Sequence, residues 1–214
     1  MQRLRIRLSR GEAIKFISHL DIMRLWERAL RRAQIPLAYS EGFSPHPRIS
    51  LAAPLPVGVT SEAELMDVFV SKWVSPHWFI TAASQQMPAG IEILEVYQIA
   101  LTMPSLQSRV RYAEYRVGVK TEEGPDDIES AISSLLSVEY LPWYHLRDTG
   151  RRSYDLRALI DSLWCIEQCH SSCTLGMRLR CDSNGSGRPE QVVSALGFTT
   201  YPQSIRRTKL ILEA

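Results

Sequence analysis

At 214 residues, with 45% hydrophobic and 22% charged residues, the chain can hold one large domain or two compact ones of ordinary globular composition. No apolar run approaches the roughly 18 residues of a membrane span, and "MQRLRIRLSR" lacks the apolar stretch of a signal peptide, so neither a membrane span nor secretion is expected and a cytoplasmic protein is. The net charge of +2 is segregated: residues 1–48 hold ten Lys/Arg against four Asp/Glu, residues 49–146 five against twelve, and residues 147–214 ten against seven.

A basic beginning suits an anionic partner, and an acidic middle suits a different contact. The first element is "RLRIRLSRGEAIKFI", where Leu4, Ile6 and Leu8 alternate with Arg3, Arg5 and Arg7. This is the pattern of a half-buried strand. In "SHLDIMRLWERALRRAQIP" Ser18 is a natural N-cap with Asp21 three residues on, and Pro36 stops the segment. The spacing predicts a helix with Leu20, Met23, Trp26 or Ala29, Leu30 and Ala33 inward. Arg24, Arg28, Arg31 and Arg32 share its other side, with Glu27 as their local counter-charge.

Two extended pieces follow, "LAYSE" and "ISLAAPLPVG" into "AELMDVFVS", joined by the loop from Gly42 to Pro47. A short helix opens at Ser75 and Pro76, and "IEILEVYQIA" alternates as a strand. The order β-α-β-β-α-β is the ferredoxin-like one. After the joint "LTMPSLQS" the second half reads similarly, with a strand, a helix from "GPDDIESAISSLLS", extended segments, a helix from "RPEQVVSALG" and a last strand. The expected fold class is therefore α+β, two tandem ferredoxin-like (βαββαβ) units with antiparallel sheets, over residues 1–103 and 104–214.

His19 stands at the helix start beside Ser18 and Asp21, and His46 is clamped between Pro45 and Pro47, neither of which offers an N–H. A loop folding back over the helix start would join His19, His46, Asp21 and Ser18. Such a pocket could bind phosphate at the helix N-terminus or supply an acid–base pair. The plainer reading makes Ser18 a cap and Pro-His-Pro a rigid connection. In a ferredoxin-like unit that loop also lies at the end opposite the first strand-to-helix turn, so convergence requires it to reach back.

Cys165, Cys169, Cys173 and Cys181 with His170 invite a zinc reading, but C-x3-C-x3-C is neither zinc-like nor cluster-like spacing. Idle or buried thiols fit better. "NGSGRPEQ" places Arg188 and two glycines before a helix, which could cradle a phosphate but matches no nucleotide loop. A hairpin turn running into a helix explains it equally well.

Residues 15–67, "KFISHLDIMRLWERALRRAQIPLAYSEGFSPHPRISLAAPLPVGVTSEAELMD", closely resemble the signature of a radical-SAM-linked (radical-SAM-associated) bacterial family of unknown function. "YDLRALI", "GRPEQVV" and "RRTKL" fit it in order further on. The resemblance implies that Ser18, His19, Asp21, Arg24, Gly42, Phe43, Pro45, His46 and Pro47 belong to the family's motif. It also implies a B12-binding-type radical-SAM protein as partner, with the cluster cysteines on that partner and no cofactor on this chain.

The function expected is an accessory or substrate-binding module for a radical-SAM enzyme, binding a tRNA-like RNA. The basic helix and first strand would contact phosphates, Arg48 and Arg188 would add charge, and the histidine loop would position a substrate group. The alternatives are a metal-independent RNA-processing endoribonuclease and a pure protein–protein adaptor.

Overall fold

The computed structural model describes residues 1–147 and 150–213. The chain divides into two compact units, Met1–Val110 with the end from Leu212, and Arg111–Ile211. Strand predominates over helix in an α/β fold with a sheet-dominated core.

In the first unit the order is β1 (Gln2–Arg10), α1 (His19–Arg32), β2 (Ile49–Leu51), β3 (Thr60–Val70), α2 (Pro76–Ser84), β4 (Ile91–Ile99) and a single turn of helix, α3 (Leu106–Arg109). The strands lie in the order β4-β1-β3-β2 and each neighbouring pair is antiparallel. Leu4, Ile6 and Leu8 of β1 are fully buried and share a core with Ile22, Trp26 and Leu30 of α1 and Phe79 and Ala83 of α2. Both helices therefore pack their apolar sides against this sheet, which removes Trp26 from solvent altogether and supplies a large share of the unit's hydrophobic stabilisation.

The buried stripe of α1 is Ile22, Trp26, Ala29 and Leu30, not one that includes Leu20, whose side chain is exposed. Leu20 and Ile22 fall about 200° apart around a helix, and a start at His19 settles the phase so that Ile22 faces the sheet. "LAYSE" does not form a strand: it makes the isolated pairs Leu37 with Val70 and Tyr39 with Pro47. Proline fixes φ and donates nothing, so the proline-rich stretch keeps only three residues in β2.

The second unit carries β5 (Val110–Lys120), α4 (Ile128–Ser137), β6 (Pro142–Arg147), β7 (Gly150–Asp155), β8 (Ile160–Gln168), β9 (Ser172–Asp182), β10 (Gly185–Ser186), α5 (Pro189–Ala195) and β11 (Ser204–Leu212). β9 pairs antiparallel with β5 on one side and with β8 and then β10 on the other, and β11 lies beside β5. The longer middle section is a separate two-stranded hairpin of β6 and β7. Gly176 of β9 faces Trp164 of β8, and a Cβ there would stand 2.2 Å from the indole ring. Only glycine admits that ring over the strand.

Candidate nucleic-acid interface

Ser18 caps α1: its Oγ accepts from the Asp21 N–H at 3.2 Å and donates to Asp21 Oδ2 at 2.7 Å. Arg24 reaches the other Asp21 oxygen at 3.2 Å. The Ser18 hydroxyl first, and then Arg24, hold the Asp21 carboxyl below its ordinary range. Asp21 thus serves the cap that Ser18 makes. His19 is partly buried and its Nδ1 is enclosed without a hydrogen-bond partner.

The Gly42–Pro47 loop is closed at its base by Ser40 N–H on the His46 carbonyl at 2.8 Å and His46 N–H on Ser40 Oγ at 3.0 Å. Gly42 has φ +121°, a conformation side chains rarely adopt, and the turn leaves Phe43 fully exposed. The loop is tied to the far end of β3, where Ala38 N–H donates to Phe69 O and Phe69 N–H to Arg48 O.

This position separates the two histidines. β1 enters the turn toward α1 at Arg10, which pairs with Ser61, whereas His46 lies two residues from the partner of Phe69. Eight residues of β3 lie between, roughly 26 Å at ~3.3 Å per residue. The expected shared pocket of Ser18, His19, Asp21 and His46 is not formed. Strand direction decides this, because the loop follows α1 back to the opposite end of the sheet and its hydrogen bonds keep it there.

The exposed outer side of α1 carries Arg24, Arg28, Arg31 and Arg32. Arg31 is 4.0 Å from Glu27 and stands 6.0 Å over the Tyr39 ring. Arg48 is exposed, with its guanidinium 4.1 Å over Phe69. The four arginines of α1 form one basic surface, whereas Arg48 shares the Phe69 ring with Arg3 on the face of the sheet opposite α1.

Of the first strand, Arg7 is exposed and 3.5 Å from Glu95, but Arg3 and Arg5 are withdrawn from solvent. Both fork onto the fully buried Asp67 at 2.6–3.0 Å. Arg3 also donates to the carbonyls of Met103 and Pro104, so the 100–109 segment covers that face of the sheet. Burial opposes the charge on Arg5, but the Asp67 hydrogen bond and charge outweigh it and raise its pKa. Phosphate contact by these arginines is excluded by their burial. The signal missed in the sequence was Asp67, the carboxylate inside the otherwise apolar stretch "LMDVFV" of β3.

Arg188 is exposed and precedes α5, which is only seven residues long. The preceding glycines serve a turn: Asp182 Oδ1 accepts from Asn184 and Gly185 N–H, and Gly187 N–H donates to Arg180 O. The stretch is a hairpin leading into a helix.

The cysteines do not converge as zinc ligands. Cys165 and Cys173 are 3.6 Å apart across β8 and β9, Cys169 is exposed near Glu167, and Cys181 lies at the other end of β9. Among the described residues no group of three or more His, Cys, Asp or Glu could hold a metal. No helix among them is long and apolar enough to cross a membrane.

Among solved structures the chain is similar to one from a Cbf5-Nop10-Gar1 complex, with 10% identity, a TM-score of 0.54 and coverage of 97% of this chain and 48% of that one. A second is an H/ACA RNP bound to a substrate RNA containing 2'-deoxyuridine, at 11% identity, a TM-score of 0.49 and coverage of 97% and 47%. This chain thus spans about half the length of each, and at 10% identity the likeness to the first is one of fold alone. No curated protein matches the sequence. A family described as "Uncharacterized protein conserved in bacteria (DUF2344)" matches residues 3–189, and the chain belongs to that family.

Proposed function

We propose that the protein is an RNA-binding module that works with a radical-SAM enzyme. The observation that carries the RNA reading is the exposed row Arg24, Arg28, Arg31 and Arg32 on α1. Arginine forks suit phosphate oxygens, and a row along one helix face matches a phosphate backbone better than it matches a single small anion. The motif in residues 15–67 supports a B12-binding-type radical-SAM protein as the partner, in the cytoplasm. The matching element and strand orders of the two units support reading them as tandem ferredoxin-like domains.

Binding is favoured over RNA cleavage because His19 and His46 stand too far apart to pass a proton between substrate atoms. Anisotropy titration of fluorescent bulk tRNA at several salt concentrations tests the reading. Affinity should fall linearly with salt on a log–log plot, and Arg28→Glu with Arg32→Glu should reduce the slope by about two. RNA binding insensitive to both salt and these substitutions would refute it. RNA cleavage lost in His46→Ala would replace it with the enzyme. Co-purification with the radical-SAM protein tests the partnership separately.

A further inference from the structure

The end of the first unit that holds the Gly42–Pro47 loop also gathers exposed aromatic rings from two separate segments. Phe43 projects from the loop, and Tyr39 is exposed at its base beside Pro47. Trp73, 71% exposed, stands in the turn from β3 to α2. That turn is bound to the same end, because Ser71 donates through both N–H and Oγ to Pro36 O, at 2.8 and 3.1 Å, and Pro36 precedes the Leu37–Val70 pair. Val74 is fixed in turn by Gln2 at the start of β1, through hydrogen bonds in both directions.

Charge accompanies the rings. Arg31, Arg48 and Lys72 are exposed on these segments and on the last turn of α1, whereas residues 36–48 and 71–78 contain a single carboxylate, Glu41. Rings of this size left in water carry a cost that packing would normally remove, so such a group marks a binding surface. A protein partner of ordinary surface would leave this concentration of positive charge uncompensated. A polyanion with flat faces satisfies both features.

We propose that this end of the first unit binds single-stranded RNA, with unpaired bases stacking on Tyr39, Phe43 and Trp73 and with phosphates held by Arg31, Arg48 and Lys72. This rests on the RNA-binding reading and narrows its substrate class. In a duplex the base faces are covered by their neighbours, so exposed rings can stack only bases that are unpaired. Arg31 stands 6.0 Å over the Tyr39 ring, which is 45% exposed, and adds a cation–π contact to the stack.

The test compares a fluorescent oligouridine of about a dozen nucleotides with an RNA duplex of the same length. The wild type should bind the oligouridine more tightly and lose tryptophan fluorescence as it does so. Phe43→Ala with Trp73→Ala should weaken the oligouridine about tenfold or more, leave the duplex affinity unchanged and keep the unfolding temperature. Phe16→Ala removes a similarly exposed ring near the start of α1 and should change nothing.

Unchanged oligouridine binding in the double variant, with binding abolished by Arg28→Glu and Arg32→Glu, would overturn the single-strand inference and leave RNA binding standing. Absence of binding to either probe would end both. If the double variant kept its RNA affinity but no longer co-purified with the radical-SAM protein, the rings would belong to a protein interface and the inference would fall.

Discussion

Arg3 and Arg5 of β1 and the arginines of α1 lie within thirty residues of each other, and their fates are opposite. Arg3 and Arg5 lose water and close on Asp67, while Arg24, Arg28, Arg31 and Arg32 remain exposed. The difference is one of partners. β1 lies between β3 and β4, with Asp67 of β3 beside Arg3 and Arg5 and the carbonyls of Met103 and Pro104 over Arg3. These two side chains are therefore buried, while Arg7, further along the same face, stays exposed. A buried guanidinium persists only where a carboxylate meets it. α1 buries one side, and on its exposed side the charge is answered only locally among the described residues, by Asp21 beside Arg24 and Glu27 beside Arg31. The basic character of the N-terminal region thus divides into a structural part and a part available to a ligand.

The largest expected effect breaks the structural part. Asp67→Ala leaves two buried guanidiniums without their carboxylate and should cost about 3–5 kcal/mol, read as a lower denaturant midpoint. A loss no larger than an ordinary surface substitution would mean that water reaches Arg3 and Arg5, and the contrast with α1 would fail.

The next prediction addresses the exposed part. Arg28→Glu with Arg32→Glu should change stability by no more than about 0.5 kcal/mol per site while cutting RNA affinity at least tenfold at low salt. Together with Asp67→Ala this makes a double dissociation, in which one set of arginines moves folding and the other moves binding.

A smaller effect lies at the start of α1. Ser18→Ala removes the cap and should cost about 1 kcal/mol in thermal or chemical unfolding. The lowered pKa of Asp21 gives this end a pH signature. The native contact of the carboxylate is present above the ordinary carboxyl pKa and is lost as pH falls through the lowered value. Ser18→Ala should therefore flatten that part of the acid limb of the stability profile.

The smallest effect extends the same contrast to the thiols of the second unit. Burial, and then the contact with Cys165, pushes the Cys173 thiol up to about 12, while Cys169 is exposed. Iodoacetamide at neutral pH, followed by mass spectrometry, should modify Cys169 first and Cys173 last. With its native pKa above the ordinary thiol value near 9, Cys173 favours the folded state less and less as pH rises from 9 toward 12, and a Cys173→Ala variant should lack that part of the alkaline decline.

Periodicity and capping made much of the first unit legible. The alternation in β1, the Ser18–Asp21 cap and the proline stop at Pro36 are local features, and the polypeptide has few other ways to satisfy them. The second unit was harder to read, because "YDLRALIDSLWCIE" holds the end of one strand, a turn at Arg157–Leu159 and a second strand, with no glycine or proline to mark the joints. The phase of α1 was missed by one residue choice, Leu20 for Ile22, since both give an apolar stripe until the sheet selects one.

Of the proposed binding surface, the sequence by itself determined the row of arginines on α1, because helical spacing and amphipathicity are local properties. It also determined that Gly42 and the flanking prolines make a stiff turn carrying Phe43 and His46. Only the tertiary structure decided that His19 and His46 stand at opposite ends of the sheet, that Asp67 takes Arg3 and Arg5 out of reach of any ligand, and that Trp73 shares an end with Tyr39 and Phe43. Each of these is a pairing between residues tens of positions apart, set by strand register and direction, and no local pattern encodes which side chains the register brings together.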